Sequence, residues 1–251
     1  MDENKGNDLS ILISTHDQNS SLWKPLEKSY ELFWSKLNYP LFITSNFKEN
    51  NPSIFNFLKV GDEKSWSDNI LKCLAKIESK YVMFCFDDTF WKKDIDNFEF
   101  ESLVSECIEN NWNYLRLHPS PRSNNAISKK ISLIKPGSKY RASVAFAIYK
   151  KNILISLLKE DESAWDFEKD GSIRSSEYDN FYHINFELLP YHNLVIKSKL
   201  EPFAKKNIQN QGIDLSELEL SSMSLFSSLN FNFYKKIYNL KNKIFFMLGI
   251  N

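Results

Sequence analysis

The stretch that decides the fold is Tyr81–Trp91, Y-V-M-F-C-F-D-D-T-F-W. Its first six residues favour a strand, and a run that is apolar on both faces predicts a strand buried in a parallel sheet. Asp87 and Asp88 follow directly. Ligands of open α/β sheets bind outside the carboxyl ends of the strands, so the pair falls where a binding crevice is expected.

Two neighbouring carboxylates at such a position are unfavourable unless positive charge lies beside them. A divalent cation that carries a nucleotide diphosphate satisfies this requirement with one or two carboxylates. Helix or turn capping by one of the two aspartates is the equally good alternative. The stretch therefore predicts either a metal-assisted phosphate site or a capped turn at the end of this strand.

The composition narrows the class of protein. The chain has 251 residues, enough for one large α/β domain with a sizeable core. Lysine plus arginine equals aspartate plus glutamate at 32 each, so no overall positive field attracts nucleic acid. Cys73, Cys85 and Cys107 lie singly in apolar segments without the spacing of a zinc site, as in reduced core cysteines of an intracellular protein.

Hydrophobic periodicity and turn signals predict strands that alternate with helices, which is the pattern of an α/β sheet, parallel at its centre with some antiparallel pieces late in the chain. The predicted strands are Leu9–Thr15, Leu41–Thr44, Phe55–Val60, Tyr81–Phe86, Tyr114–Leu117, Ile131–Ile134, Ser143–Tyr149, Tyr182–Phe186 and Leu194–Lys197. The predicted helices are Ser20–Leu37, a helix capped by Ser65 and Asp68 that reaches Ser79, Asp94–Asn110 and Lys151–Lys159.

Polar residues at other strand ends are further candidates for ligand binding. Asp17 and Asn46 follow the first two strands and are candidates for binding a nucleoside, with turn capping as the alternative. Arg141 is the preferred phosphate ligand because it lies in Pro119–Lys159, a stretch without acidic residues. Arg116 and Arg174 are also candidates, and a surface ion pair is the alternative for each arginine.

Several short segments, taken in order, resemble glycosyltransferases of the GT-A fold, of the family 2 type found among bacterial capsule and lipopolysaccharide enzymes. They are S-T-H-D after the first strand, T-S-N at Thr44–Asn46, S-W-S at Ser65–Ser67, F-D-D-T-F at Phe86–Phe90, Y-L-R-L at Tyr114–Leu117, Y-R-A-S-V-A-F-A-I-Y from Tyr140, and S-A-W-D-F-E with G-S-I-R-S from Ser163. The acidic motif reads Asp-Asp-Thr here, where many relatives have Asp-x-Asp.

The resemblance implies a Rossmann-like single domain and an enzyme that moves a sugar from a nucleotide-diphosphate sugar to a hydroxyl of a glycan or polyprenyl-linked glycolipid. It implies Mn²⁺ or Mg²⁺ on the diphosphate, and inversion of the anomeric configuration if one base acts in a direct displacement. With the chemistry of sugar transfer, these implications assign Asp88 to the metal, Glu168 or else Asp166 to the catalytic base, and Asp17, Asn46, Trp66, Asp87 and Arg141 to the donor. His192 is a candidate for a third metal ligand, with an ordinary turn histidine as the alternative.

Two other functions stay open from the sequence. A nucleotidyltransferase also places carboxylates and a metal at strand ends, but it should carry a glycine-rich phosphate loop near its first strand. The segment S-T-H-D-Q-N-S-S at residues 14–21 contains no glycine. A catalytically inactive GT-A module that binds only a sugar or a partner is the second alternative.

The last segment is expected to stand apart from the catalytic domain, which we place at residues 1–220. Between Ser221 and Asn251 apolar residues recur at threes and fours, four lysines occur, and no acidic residue does. Such a helix packs on its own domain, on a second copy in a homodimer, or flat on an anionic membrane. The chain also lacks a run of 18 uncharged apolar residues, so we expect a cytoplasmic protein, peripheral on the inner face of the membrane.

Overall fold

The computed structural model describes residues 8–247, and in the last helix it describes side chains only up to Ile237, Lys235 excepted. Eight strands form one mixed sheet in the order β3-β2-β1-β4-β8-β6-β9-β7. The strands are β1 Leu9–Ser14, β2 Leu41–Ser45, β3 Asn56–Lys59, β4 Tyr81–Phe86, β6 Tyr114–Arg116, β7 Ile131–Leu133, β8 Ala147–Lys150 and β9 Phe181–Ile184. Two small ribbons pair β5 Thr89–Trp91 with β10 Tyr191–Asn193 and β11 Val195–Ile196 with β12 Lys199–Leu200.

The strand predicted from Tyr81 lies inside the sheet, as expected. It runs parallel to β1, with Leu9 opposite Tyr81 and Ser14 opposite Phe86. Strands β1, β2 and β3 are also parallel to one another, which confirms a parallel block of four strands. On its other side β4 is antiparallel to β8, and β6 is again antiparallel to β8. The sheet is therefore parallel at one half and mixed at the other.

The predicted strand Ser143–Tyr149 is shorter than expected at its start. The strand is only Ala147–Lys150, of which Ile148–Lys150 pair with β4, and residues 143–146 form a loop that ends at Phe146, whose φ is +48°. The Phe146 ring packs at 4.6 Å from that of Tyr191 and at 5.6 Å from that of Trp91. Burial of this aromatic side chain outside the sheet therefore accompanies the loss of ladder pairing before Ala147.

The helices are α1 Trp23–Phe33, α2 Trp66–Leu74, α3 Asn97–Glu109, α4 Lys151–Leu157, the short turns α5 Ala164–Asp166 and α6 Ser172–Arg174, α7 Pro202–Asn210 and α8 Leu225–Met247. A 3-10 helix, Asp17–Leu22, precedes α1, so the α-helix starts later than predicted. Ser65 caps α2 as predicted by accepting a hydrogen bond from the Asp68 N–H at 3.1 Å. The helix ends at Leu74, five residues before Ser79. The sequence did not predict α7, β5, β10 or β12.

The core lies on both faces of the sheet because alternate residues of each strand point to opposite sides. One cluster joins Ile11 and Met83 to the tryptophans 23, 34 and 91 and to Phe100 of α3. The other joins Leu12 and Phe84 to Ile70 of α2 and to Phe167. The three cysteines are reduced and buried, as predicted. This two-sided core fixes the strand ends that build the crevice described below.

The last helix, α8, is attached at its start. The Met223 N–H donates to the Leu200 carbonyl at 3.0 Å, and the buried Ser228 hydroxyl donates to the Glu201 carboxylate. Several apolar side chains of α8 are exposed: Leu225, Phe226, Leu229, Phe233, Tyr234 and Ile237. Within residues 8–247 no helix is both long enough and apolar enough to span a bilayer. The predicted division into 1–220 and 221–251 stays a prediction.

Candidate functional site

A crevice of about 220 Å³ opens at the carboxyl ends of β1, β2 and β4. Its lining residues come from these strand ends, from the 3-10 helix and from the first turns of α2; they are Ser14, Thr15, His16, Asn19, Thr44, Glu63, Trp66, Asn69, Ile70, Phe86 and Asp87. This is the edge at which open α/β sheets bind ligands. The crevice thus lies where the sequence placed a site.

Asp87 is buried at the floor of the crevice. Because Ser14 and Phe86 are register partners, Thr15 and Asp87 leave the sheet at the same level. The Thr15 hydroxyl donates to Asp87 Oδ2, and Asn19 Nδ2 donates to the same oxygen at 2.9 Å. Burial raises the pKa of Asp87, and these two hydrogen bonds oppose that rise. Asp87 is therefore held in one orientation by groups that favour its charged form.

Asp88, the next residue, has no such support. Burial, and then repulsion from Asp87, raise the pKa of Asp88 to about 7. Among residues 8–247 the only hydrogen bond near its carboxylate is from its own backbone N–H. Two neighbouring carboxylates, one of them without a positive or donor partner in the described chain, form a place where a cation would be stabilised.

Asp17 and Asn46 hold the loops after β1 and β2 together. Asp17 accepts hydrogen bonds from the backbone N–H groups of residues 46, 47 and 48, at 2.8 to 3.1 Å. Asn46 accepts from the Asp17 N–H at 3.1 Å and donates to the Gly61 carbonyl at 3.0 Å. These polar atoms are engaged within the protein. Their contacts are those expected of residues that cap turns, which was the alternative to nucleoside binding. A role in nucleoside binding stays a prediction.

Trp66 and Asn69 present one face of α2 to the crevice. Trp66 Nε1 donates to Ser14 Oγ at 3.1 Å, and its ring lies 5.5 Å from that of Phe167. Asn69 follows one turn later and is 8% exposed. Its Oδ1 atom is buried and accepts no hydrogen bond from the described residues. The crevice thus combines an aromatic wall with a buried amide acceptor that lacks a partner.

Glu168 lies in a π-helical turn, Phe167–Gly171, between α5 and α6. Its Oε1 accepts from the Ser143 hydroxyl at 2.7 Å and from the Val144 N–H at 3.0 Å. These partners belong to the loop before β8. Because β8 is antiparallel to β4, the residues that precede β8 lie at the edge where β4 ends. Glu168 is thereby placed on the same edge of the sheet as the aspartate pair, although it does not line the crevice.

Asp166, the alternative base, forms a capping box with Ser163. It accepts from the Ser163 N–H at 3.1 Å and from the Ser163 hydroxyl at 2.6 Å. These hydrogen bonds lower the pKa of Asp166, which is exposed. Trp165 beside it is 78% exposed. The contacts of Asp166 are those of a helix cap, while Glu168 is anchored through one oxygen only.

His192 lies in β10 opposite Phe90 of β5. Burial lowers the pKa of His192, Lys92 lowers it further, and Glu201 raises it. Residues 8–247 contain no group of three or more histidine, cysteine, aspartate or glutamate side chains that could hold a metal ion. Asp87, Asp88 and His192 therefore do not form a three-ligand set in this structure.

The predicted arginines are bound inside the protein. Arg141 donates to the carbonyls of Ile134, Ser175 and Tyr178, and its guanidinium lies 4.0 Å from the centre of the Phe181 ring. Burial lowers the pKa of Arg141 to about 10. Arg116 likewise donates to three backbone carbonyls, and Arg174 forms a two-point ion pair with Glu162. None of the three lines the crevice.

Replacing Arg141 with leucine separates a structural role from phosphate binding. Three buried carbonyls would lose their donor, so we expect the free energy of unfolding to fall by about 3 kcal/mol. For a chain of this size the melting temperature should fall by roughly 6–12 °C. The exposed Lys139→Leu variant is the control. Unchanged stability together with a weaker nucleotide affinity would instead support the predicted phosphate contact.

Four residues of the site were not singled out from the sequence: Thr15, Asn19, Asn69 and Ser143. Asn69 left the clearest signal, because it follows Trp66 by three residues on the apolar side of α2, next to Ile70 and Cys73. A polar residue on an apolar stripe indicates either a buried hydrogen bond or a ligand. The other three depend on contacts between loops that no local pattern reveals.

No protein-family model matches the sequence, and no curated protein sequence matches it. Several solved structures match the fold of the chain. The fragment 1–349 of S. aureus TarS matches with a TM-score of 0.48 at 10% identity, over 73% of this chain and 59% of its own. The mannosyltransferase PcManGT of Pyrobaculum calidifontis, solved with GDP-Man and Mn²⁺, matches at 0.49 and 9% identity, over 78% of this chain and 59% of its own. A UDP-glucose pyrophosphorylase complexed with UDP-glucose matches at 0.53 and 9% identity, over 82% of this chain and 99% of its own.

The chain has a GT-A-like fold. The match to the UDP-glucose pyrophosphorylase, at a TM-score of 0.53, confirms the expected Rossmann-like α/β architecture with a large, mostly parallel sheet. The chain spans 59% of the length of the TarS fragment and of the mannosyltransferase. Glycosyltransferases and a nucleotidyltransferase both occur among these neighbours. The pyrophosphorylase match, at 9% identity, establishes the fold alone.

Proposed function

We propose that this protein is a glycosyltransferase that takes a sugar from a nucleotide-diphosphate sugar and transfers it to a hydroxyl of a glycan or glycolipid. One observation carries the proposal. Asp87 lines the crevice at the end of β4, and Asp88 follows it directly without lining the crevice. Burial and the neighbouring Asp87 raise the pKa of Asp88 to about 7, and its carboxylate has no hydrogen-bond partner in the described chain beyond its own backbone. A carboxylate pair of this kind suits the cation that accompanies a nucleotide diphosphate.

The residues fit Mn²⁺ or Mg²⁺ without a third protein ligand. Mg²⁺ is commonly bound through one or two carboxylates plus substrate phosphates and water. Asp88 would supply the direct contact, and Asp87, already fixed by Thr15 and Asn19, would orient a ribose hydroxyl or a metal-bound water. When bound, such a cation offsets the negative charge that develops on the leaving diphosphate. His192 is not needed for this arrangement.

Glu168 is our candidate for the base that removes the proton from the acceptor hydroxyl. Ser143 and Val144 fix its Oε1, and its other carboxylate oxygen accepts no hydrogen bond within the described residues. An anchored carboxylate with one free oxygen can be held in a constant position while it accepts a proton. With one base and direct displacement by the acceptor, the anomeric configuration inverts.

The proposal is tested by titrating UDP-, GDP-, ADP- and dTDP-linked sugars into the protein with Mn²⁺, while recording heat and melting temperature. We expect one nucleotide class to bind and to raise the melting temperature. Turnover is then followed with glycan and polyprenyl-linked acceptors. Binding without turnover on any acceptor supports the inactive module, and failure of every nucleotide sugar to bind contradicts the proposal.

We further propose that α8 brings the enzyme to an anionic membrane surface, where a lipid-linked acceptor for surface polysaccharide synthesis would be found. Phe226, Leu229, Phe233 and Ile237 follow helical spacing and are exposed, and the buried Ser228 lies on the opposite side. Leu225–Met247 also contains four lysines and no acidic residue. Each lysine near such a surface contributes about 1 kcal/mol. A homodimer through the same face is the alternative.

Vesicle flotation tests this role of α8. We expect the protein to float with phosphatidylserine-containing vesicles at low salt, and the triple variant Phe226→Ser, Leu229→Ser, Phe233→Ser to lose most of this binding. The matched control replaces three exposed apolar residues elsewhere, Phe98, Ile127 and Ile173, with serine. Equal flotation of both variants contradicts the membrane role. If the α8 variant instead changes a dimer into a monomer in light scattering, the face belongs to a homodimer.

A further inference from the structure

The polar side chains at the crevice differ in whether their atoms already have hydrogen-bond partners within the protein. Asp17 and Asn46, expected to bind the nucleoside, use their polar atoms on each other's loops. Asn19 donates to Asp87. Asn69 differs from these residues because it is 8% exposed and its Oδ1 has no donor among residues 8–247.

We infer that Asn69 reads the edge of the nucleobase of the donor, with the Trp66 ring as the wall beside the base; this inference rests on the proposed function. A buried acceptor without a partner is unfavourable, and a ligand that brings an N–H group to it removes that penalty. The Asn69 amide offers an acceptor and, at Nδ2, a donor. A nucleobase edge carries the complementary N–H donor next to an acceptor atom.

The position of Asn69 supports this assignment. It lies one helical turn after Trp66, and both line the crevice whose other side carries Thr15 and Asp87. Trp66 is itself fixed, because Nε1 donates to Ser14 at the end of β1. A planar ring in the crevice would therefore meet a held aromatic wall and, on the same helix face, a buried amide whose acceptor lacks a partner, while the aspartate pair stays available for the diphosphate side.

Asn69→Ala tests the contact by comparing a ligand that carries the nucleobase with one that lacks it. We expect the affinity for the preferred nucleoside diphosphate to fall by about 10- to 100-fold, and the affinity for inorganic pyrophosphate with Mn²⁺ to stay within about twofold. Asn207→Ala, the same replacement at an exposed position of α7, is the control. Equal loss of nucleoside diphosphate and pyrophosphate would show a general disturbance of the crevice and would overturn the inference.

Asn69→Asp is expected to change the preference between nucleobases, which a purely structural role of Asn69 would leave unchanged. A carboxylate accepts two hydrogen bonds and donates none, which suits guanine, whose N1–H and N2–H₂ form a two-donor edge, better than uracil. We expect the ratio of GDP to UDP affinity to rise by about tenfold or more. An unchanged ratio in a folded variant overturns the assignment and leaves the proposed function standing. If the wild-type protein binds no nucleoside diphosphate, both are wrong.

Discussion

Replacing Asp88 with asparagine is expected to weaken binding of the nucleotide-sugar donor by about 100-fold in the presence of Mn²⁺, equivalent to ~3 kcal/mol. Asparagine keeps the shape of the side chain but removes the charge that a cation on the diphosphate would meet. The dependence of donor binding on Mn²⁺ should disappear with it. Calorimetric titration with and without EDTA measures both effects, and Asp94→Asn, at an exposed position, is the control.

The same variant should be more stable than the wild-type protein when no ligand is present. In the folded protein the pKa of Asp88 is about 7, above the value of about 4 for an unfolded aspartate. The folded state thus holds a proton that the unfolded state releases, so wild-type stability falls as the pH rises from about 4 to about 7. We expect Asp88→Asn to melt at a higher temperature at pH 8 and the difference to narrow at pH 5.

Two outcomes would contradict the assignment of Asp88. One is a variant that binds donor as tightly as the wild-type protein, whether or not EDTA is present. The other is a melting-temperature difference that is the same at pH 5 and pH 8. A gain in stability at the expense of binding is what is expected where function maintains an unfavourable charge.

Replacing Glu168 with glutamine is expected to lower the turnover number by about 10³-fold and to leave the dissociation constant of the donor within about twofold. Glutamine keeps an oxygen that can accept from Ser143 and Val144, so the loop before β8 should stay in place. What is lost is the ability to take up a proton. Initial rates of transfer and separate donor titrations distinguish the two effects.

Asp166→Asn is the matched variant, because Asp166 lies two residues away and was the other candidate. Its hydrogen bonds with Ser163 make it a helix cap, so we expect a small loss of stability and nearly normal turnover. If Glu168→Gln keeps its activity and Asp166→Asn loses it, the base is Asp166. A product with retained anomeric configuration, seen by NMR of the new linkage, would exclude a single base in a direct displacement.

The parts of the fold that the sequence predicted are those written in local patterns. The apolar run from Tyr81 specified a buried strand, and the spacing of Ser65 and Asp68 specified the start of α2. Local patterns did not predict which distant segments pair with each other. Strands β5 and β10 lie about a hundred residues apart and have three residues each, so neither carries a periodic signal of its own.

The sequence predicted antiparallel pieces late in the chain but did not identify β8 as one of them. Ala147–Lys150 is as apolar as a parallel strand, but it runs antiparallel between β4 and β6 because the chain returns through the long loop that contains Pro119 and Arg141. A strand buried on both faces is usually parallel, and β8 is buried on both faces although it is antiparallel, so its composition did not identify its direction. This reversal nevertheless matters for the site, since it places residues 143–146, which anchor Glu168, at the edge where β4 ends.

At the site, the sequence identified residue types that ligands use. It did not show which of them lack hydrogen-bond partners in the folded chain. Asp17, Asn46 and Arg141 all have suitable chemistry, and in the folded chain their polar atoms are largely bound to backbone groups. Asn69 gave a weaker signal and has the buried acceptor without a hydrogen-bond partner. The difference depends on hydrogen bonds between loops, which form only when the strands are assembled.

The most direct test of the central claim follows which bond of the donor breaks. The protein is incubated with the nucleotide sugar that it binds, an acceptor and Mn²⁺, and phosphorus-31 NMR records the products. A glycosyltransferase cleaves the bond between the anomeric carbon and the β-phosphate oxygen, so we predict that the nucleoside diphosphate appears, and that it does not with Asp88→Asn. Formation of a nucleoside triphosphate and a sugar 1-phosphate, when pyrophosphate is added in place of an acceptor, would instead show a nucleotidyltransferase and contradict the account.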